Sequence, residues 1–140
     1  MIEVNEGAEA TKEIEATLNA LSAAVSTKDA RNMRCFYTDD VVVFDIFPPL
    51  SYQGADQHCA NWQAWFDRMN SKIALEFQNA VMTVNDDVAT VFCINRITIG
   101  ETYDLVRVTA LMTKTDGDWR IAHVHTSMPP PIAFAETEAN

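Results

Sequence analysis

Beyond residue 72 the chain becomes a succession of β-rich runs, Ile73 to Val84, Val88 to Ile99, Tyr103 to Thr113 and Trp119 to Thr126. They are separated by Asn85-Asp86-Asp87, Gly100-Glu101 and Thr115-Asp116-Gly117-Asp118, all residues that favour tight turns. Runs this close together can only pair antiparallel with their neighbours, because a parallel connection needs a long crossover. A four-stranded meander follows, and one of its faces must be covered by the residues that precede it.

Those residues read as helices. Ile14, Leu18, Leu21 and Val25 recur at spacings of four and three, placing one apolar stripe on a first helix from Ala8 to Val25. Ser26 or Thr27 followed by Asp29 reads as a break and a new N-cap, with Ala30, Met33, Phe36 and Tyr37 on a short second helix that Thr38, Asp39 and Asp40 end. Val41 to Phe47 is a short strand stopped by Pro48-Pro49, since proline lacks the amide a ladder needs. Ser51 to Gly54 reads as a loop. Cys59, Trp62, Trp65, Phe66 and Met69 then form the stripe of a third helix, closed by Asn70 and Ser71. Helices first and antiparallel strands afterwards is the α+β pattern, here in a single domain spanning 1–140, with 1–7 and 132–140 expected to fray.

Charge narrows the partners. Acidic residues outnumber basic ones by 20 to 10, and a formal charge of −10 repels phosphate backbones and anionic lipid, so neither nucleic acid nor membrane is an expected partner. Cys35, Cys59 and Cys93 are odd in number and widely spaced, without a zinc-site pattern, which suits a reducing cytoplasm. No segment reaches the roughly 18 apolar residues that span a bilayer, and nothing at the N-terminus marks the chain for export. The four glycines are scattered, so no nucleotide, flavin or phosphate motif is present and no cofactor is expected.

The order of elements, together with FYTDDVVVFD at residues 36–45 and DGDWRIAHVHTSMP at residues 116–129, resembles the SnoaL-like and ketosteroid-isomerase-like branch of the nuclear-transport-factor-2-like superfamily. Asp39-Asp40 before the first strand, Gly54 opening the third helix and the closing Asp116-Gly117-Asp118-Trp119-Arg120-Ile121 match the family pattern. The resemblance implies a cone, a curved and mainly antiparallel sheet wrapped round three N-terminal helices, with one pocket at its open end. It also implies pairing into a homodimer through the outer face of the sheet. The last strand resembles in addition the end of the association domain of calmodulin-dependent kinase, a module that assembles and does not catalyse.

Asp45 is the sharpest candidate for chemistry, a carboxylate in a strand otherwise made of Val41, Val42, Val43, Phe44, Ile46 and Phe47. A carboxylate among apolar side chains is costly without compensation, and a desolvated one suits a general base for carbon acids. The resemblance places Asp45 on the isomerase's base, Leu21 on its oxyanion-hole tyrosine, and Thr109 at or near its neutral aspartate, which argues against steroid isomerisation in its known form. His123 and His125 share strand parity with Trp119, Ile121 and Ser127, so both could serve one ligand as proton relay or carbonyl holder. They could equally be packing histidines satisfied by backbone. With Asp45 or His58 they could also make a metal site, yet no third ligand has a diagnostic spacing, and no metal is expected.

Arg107 and Arg96 interrupt apolar strands and must either enter the pocket or reach solvent, Arg107 being the preferred pocket cation. Trp62, Trp65 and Phe66, with Tyr37, Phe44 and Phe47, could form an aromatic wall for a flat or cyclic ligand. Trp119 reads as structural.

Three functions fit these residues. The first is a cofactor-independent isomerase, dehydratase or cyclase acting on a small apolar or cyclic carbonyl compound, with Asp45 as base, His125 or His123 and Arg107 steadying the enolate, and Thr109 nearby. The second is a non-catalytic binder with the same pocket. The third is an oligomerisation module, which requires the cone to be filled.

Overall fold

The computed structural model describes residues 2–130. Its first element, α1 (Ile2–Ser26), buries Ile14, Leu18, Leu21 and Val25 along the stripe the spacing sets out. It begins at Ile2; Met1 and the stretch 132–140 lie outside the described residues. Glu13 fastens α1 to the sheet, its Oε1 accepting from Trp119 Nε1 at 3.1 Å and from Lys114 Nζ at 3.2 Å. That bond satisfies the indole N–H of a buried tryptophan and makes Trp119 a structural residue.

The short second helix is in fact two 3₁₀ turns, Ala30–Asn32 and Arg34–Phe36. Asp29 caps the first, accepting from the Arg31 N–H at 3.0 Å. The segment tightens into i→i+3 bonds, Met33 N–H to Ala30 O and Phe36 N–H to Met33 O, because the chain turns into a strand too soon for an α-helical ladder. Tyr37 therefore opens β1 (Tyr37–Phe44), and Asp45, Ile46 and Phe47 lie just past its end. What reads as a loop before Gly54 holds a two-residue strand, β2 (Tyr52–Gln53), paired antiparallel with β1. Gly54, at φ 96°, donates its N–H to Val41 O at 2.8 Å and leads into α2 (Ala55–Arg68); the left-handed backbone is what requires glycine there.

The meander is β3 (Ile73–Asn85), β4 (Val88–Ile99), β5 (Thr102–Thr115) and β6 (Asp118–Ser127). Its last hairpin turns through Asp116 and Gly117, both at positive φ, as a twist-matched two-residue turn requires. The sheet has six strands in the order β2-β1-β6-β5-β4-β3, antiparallel except where β1 runs parallel to β6. It is the curved α+β sheet that the sequence implies, with α1 packed against β3.

Two irregularities place the side chains. One residue too many stands in β3 between Gln78 and Val81, with Asn79 at φ 55°. A second extra residue, Ala122, lies in β6, where Leu111 pairs with His123 and Met112 with Ile121. A bulge bends its strand and shifts the inward alternation by one. Trp119 and Ile121 thus point inward before the bulge, and Val124 and Thr126 after it.

Phe66, only 1 % exposed, belongs to this core and does not line the cavity, contrary to the aromatic wall expected of it. Replacing Phe66 by Ala should cost about 3–5 kcal/mol in urea unfolding, the usual toll for a large aromatic in a packed core. A loss under about 1 kcal/mol would show that the site is not closely packed.

Candidate functional site

Between α1, α2 and the concave face of the sheet lies a cavity of about 370 Å³. Leu18 and Leu21 of α1, Val91 of β4, Val106 and Val108 of β5, and Val124 of β6 are among the apolar residues of its wall. A cavity of this size suits a small ligand. Trp62 and Trp65 of α2 line it together, their ring centroids 5.7 Å apart in an edge-to-face arrangement, and Tyr37 lines it as well. Burial pushes the Tyr37 phenol far above its ordinary range, with negative charge at Cys59 and Asp45 adding to the effect, so the ring stays protonated.

Asp45 also lines the cavity. Its inward direction follows from strand alternation, because Val41 and Val43 are buried and Asp45 continues their parity. Its Oδ1 accepts the backbone N–H of Ile46 at 2.7 Å, which anchors the carboxylate where the chain leaves β1.

The other polar candidates lie elsewhere. Val106, Val108 and Ala110 are the inward residues of β5, so Arg107 and Thr109 alternate onto the outer face, where Arg107 Nε donates to Ser127 Oγ at 3.2 Å. Arg96 is also on that side, its guanidinium carbon 4.0 Å from the centroid of the Tyr103 ring. His123 and His125 are turned outward by the extra residue at Ala122. His123 Nδ1 lies 2.7 Å from Val42 O and, since a carbonyl can only accept, the ring nitrogen carries the hydrogen. Both imidazoles stand edge-on to Phe44, with centroids at 4.8 and 5.5 Å. The convergence of Asp45, Arg107 and a histidine on one cavity is therefore corrected: Asp45 lines it, whereas His123, His125, Arg107 and Thr109 do not.

Different residues take their place. Arg68, in the last turn of α2, is one of the lining residues. Asn95 of β4 is buried there, its Oδ1 accepting from the Cys93 thiol at 3.3 Å. Most telling is His58, 4 % exposed, which lines the cavity from the first turns of α2 with its ring edge-on to Tyr37 at 4.5 Å. Desolvation brings the imidazole down from 6.5 to about 4, so it is uncharged at neutral pH. The signal was present in the sequence as His58, Asn61, Trp62 and Trp65 at i, i+3, i+4 and i+7, a second stripe beside the core stripe of Ala55, Cys59 and Phe66. Among the described residues no group of three or more His, Cys, Asp or Glu side chains is placed to hold a metal, and no described helix is long and apolar enough to cross a membrane.

His58 makes stability depend on pH. The unfolded chain takes up a proton on this ring near 6.5 and the folded chain only near 4, so acid favours unfolding across that window. Lowering the pH from above 6.5 to 4 should remove about 3 kcal/mol of stability through this group, and His58→Phe should remove that part of the slope. An unchanged slope in the variant, measured by urea unfolding at a series of pH values, would show that the ring titrates normally.

The SnoaL-like domain family matches residues 14–131. No curated protein matches the chain. Among solved structures, an NTF2-like protein of unknown function from Pseudomonas putida has 23 % identity and a TM-score of 0.83, over 91 % of this chain and 92 % of that one. A candidate dehydratase of the NTF2-like family from Streptomyces avermitilis has 15 % identity and a TM-score of 0.73, over 86 % and 97 %. A candidate calcium/calmodulin-dependent protein kinase II association domain from Xanthomonas campestris has 20 % identity and a TM-score of 0.74, over 85 % and 88 %. At such identities these likenesses establish the fold alone. With the family match running from the buried face of α1 to the end of β6 and the same fold in these neighbours, the chain belongs to the SnoaL-like family.

Proposed function

We propose that the cavity binds a small, largely apolar carbonyl compound and that Asp45 is its general base, in a cofactor-independent isomerisation, dehydration or cyclisation. The observation that carries this reading is a carboxylate on the wall of an otherwise mainly apolar cavity of about 370 Å³. The Ile46 N–H holds Oδ1, and Oδ2 takes the proton. In the first step the α C–H bond breaks, its electron pair becomes the C=C of an enolate, and the carbonyl π pair moves onto oxygen. Asp45 then returns the proton, to another carbon in an isomerisation or to a departing β-hydroxyl in a dehydration, where water leaves as the carbonyl re-forms. The apolar walls keep bulk water from protonating the enolate first.

A cavity of about 370 Å³ speaks against the filled cone of a pure oligomerisation module, yet the convex face of the sheet supports pairing of two copies. Phe44, His125, Thr109, Phe92 and Val81 stand in register across five strands, and Phe92 is 49 % exposed. Both features fit a homodimer paired through this face and carrying one cavity per copy, which would cover the exposed Phe44, Phe92 and Val81. A cytoplasmic setting is part of the proposal, with Cys35, Cys59 and Cys93 as free thiols in support.

Two measurements test it. Wild-type protein in heavy water should speed exchange of α-protons in a panel of small cyclic ketones, and Asp45→Asn should slow that exchange by about a hundredfold or more while changing stability by under about 1 kcal/mol. Equal exchange by the two proteins would remove Asp45 from the reaction. In sedimentation the wild type should run as a dimer at micromolar concentration and Phe92→Lys as a monomer; a monomeric wild type would contradict the pairing.

A further inference from the structure

We propose that His58 and Asn61 together hold the oxygen of the ligand, so that the cavity selects compounds carrying one carbonyl oxygen over hydrocarbons of the same shape. This rests on the cavity being a ligand site and adds to that reading the atoms that recognise the ligand. Two nitrogens in the lining residues of α2, His58 Nε2 and Asn61 Nδ2, are buried without any hydrogen-bond partner. A buried polar group without a partner is costly, and two on adjacent turns of one helix are explained together by an acceptor that binds between them. Residues three apart are neighbours on one face of a helix, and both residues line the cavity.

The chemistry of both groups suits a carbonyl or an enolate. Asn61 Oδ1 already accepts from Gln57 Nε2 at 3.0 Å, which fixes the amide and leaves its N–H₂ as the free donor. The neutral His58 ring can donate from Nε2 without bringing a charge into the apolar wall, and its burial keeps it neutral at pH 7. The two positions that the resemblance matches to the isomerase's oxygen-holding residues supply no donor here. Leu21 lines the cavity and has nothing to donate, and Thr109 faces outward. With Asp45 on the same cavity, the pair supplies donors to the oxygen on which negative charge develops when the α-proton leaves.

The test uses cyclic ketones of about six to ten carbons, each beside the hydrocarbon of the same ring, a size range set by the cavity. In the wild type each ketone should bind roughly five- to tenfold more tightly than its hydrocarbon, the worth of one to two neutral hydrogen bonds. The ¹⁵N resonance of His58 Nε2 should move with ketone and stay still with hydrocarbon. His58→Phe should bring the preference close to unity, and His58→Gln, whose amide nitrogen can occupy the place of Nε2, should keep much of it. If His58→Phe does not fold, the wild-type resonance and His58→Gln decide the matter. Ketone and hydrocarbon binding alike, or an Nε2 resonance indifferent to ketone, overturns the role of His58 and leaves the cavity as a ligand site. If neither class enters, both the inference and the ligand-site reading fail.

Discussion

A polar group inside the curved sheet must find a partner, stay uncharged or be turned outward, and the architecture can be followed as a set of answers to that constraint. Trp119 meets Glu13, which ties α1 to the last hairpin. Asn95 accepts from Cys93, and burial holds that thiol protonated by raising it to about 11. Asp45 rests on the Ile46 N–H at the point where β1 ends. His58 gives up its charge instead, and its Nε2 is left without a partner. Arg96 and Arg107 leave for the convex side.

Helices and strands were legible because their periodicities were clear. The stripe of Ile14, Leu18, Leu21 and Val25 named the buried face of α1, and the turn residues named the hairpins. Asp45 stood out as a carboxylate in an apolar strand, whereas strand alternation was the guide to the two late histidines. It failed for His123 and His125. Parity counted from Trp119 holds only while the strand is regular, and a single extra residue at Ala122 inverts everything after it. Nothing about an alanine between Ile121 and His123 announces a bulge, which arises from the need of a curved sheet to bend.

Arg107 and Thr109 were misplaced for a different reason. The two faces of β5 are Val106, Val108, Ala110 and Met112 on one side and Leu105, Arg107, Thr109 and Leu111 on the other, and the uniformly apolar set is the buried one. Choosing the polar set for the pocket assumed a polar site on that strand, whereas its inward side chains are packing. In α2 the misreading ran the other way. Trp62 and Trp65 were joined to Cys59 and Phe66 in one stripe, with Phe66 counted into the pocket wall, although the helix carries two stripes and His58 belongs to the one that faces the cavity. The polar groups of the site thus come chiefly from one helix and from the end of one strand, set against an apolar sheet.

On the proposed function the cone holds a small ligand with its oxygen toward α2 and its acidic carbon toward Asp45. A crystal structure of the protein soaked with a cyclic enone tests it most directly. The ring is expected against Trp62 and Val108, its oxygen within hydrogen-bond distance of His58 Nε2 or Asn61 Nδ2, and an α-carbon beside the Asp45 carboxylate. A cavity closed by the protein's own side chains, or an enone bound with its oxygen away from α2, would contradict it.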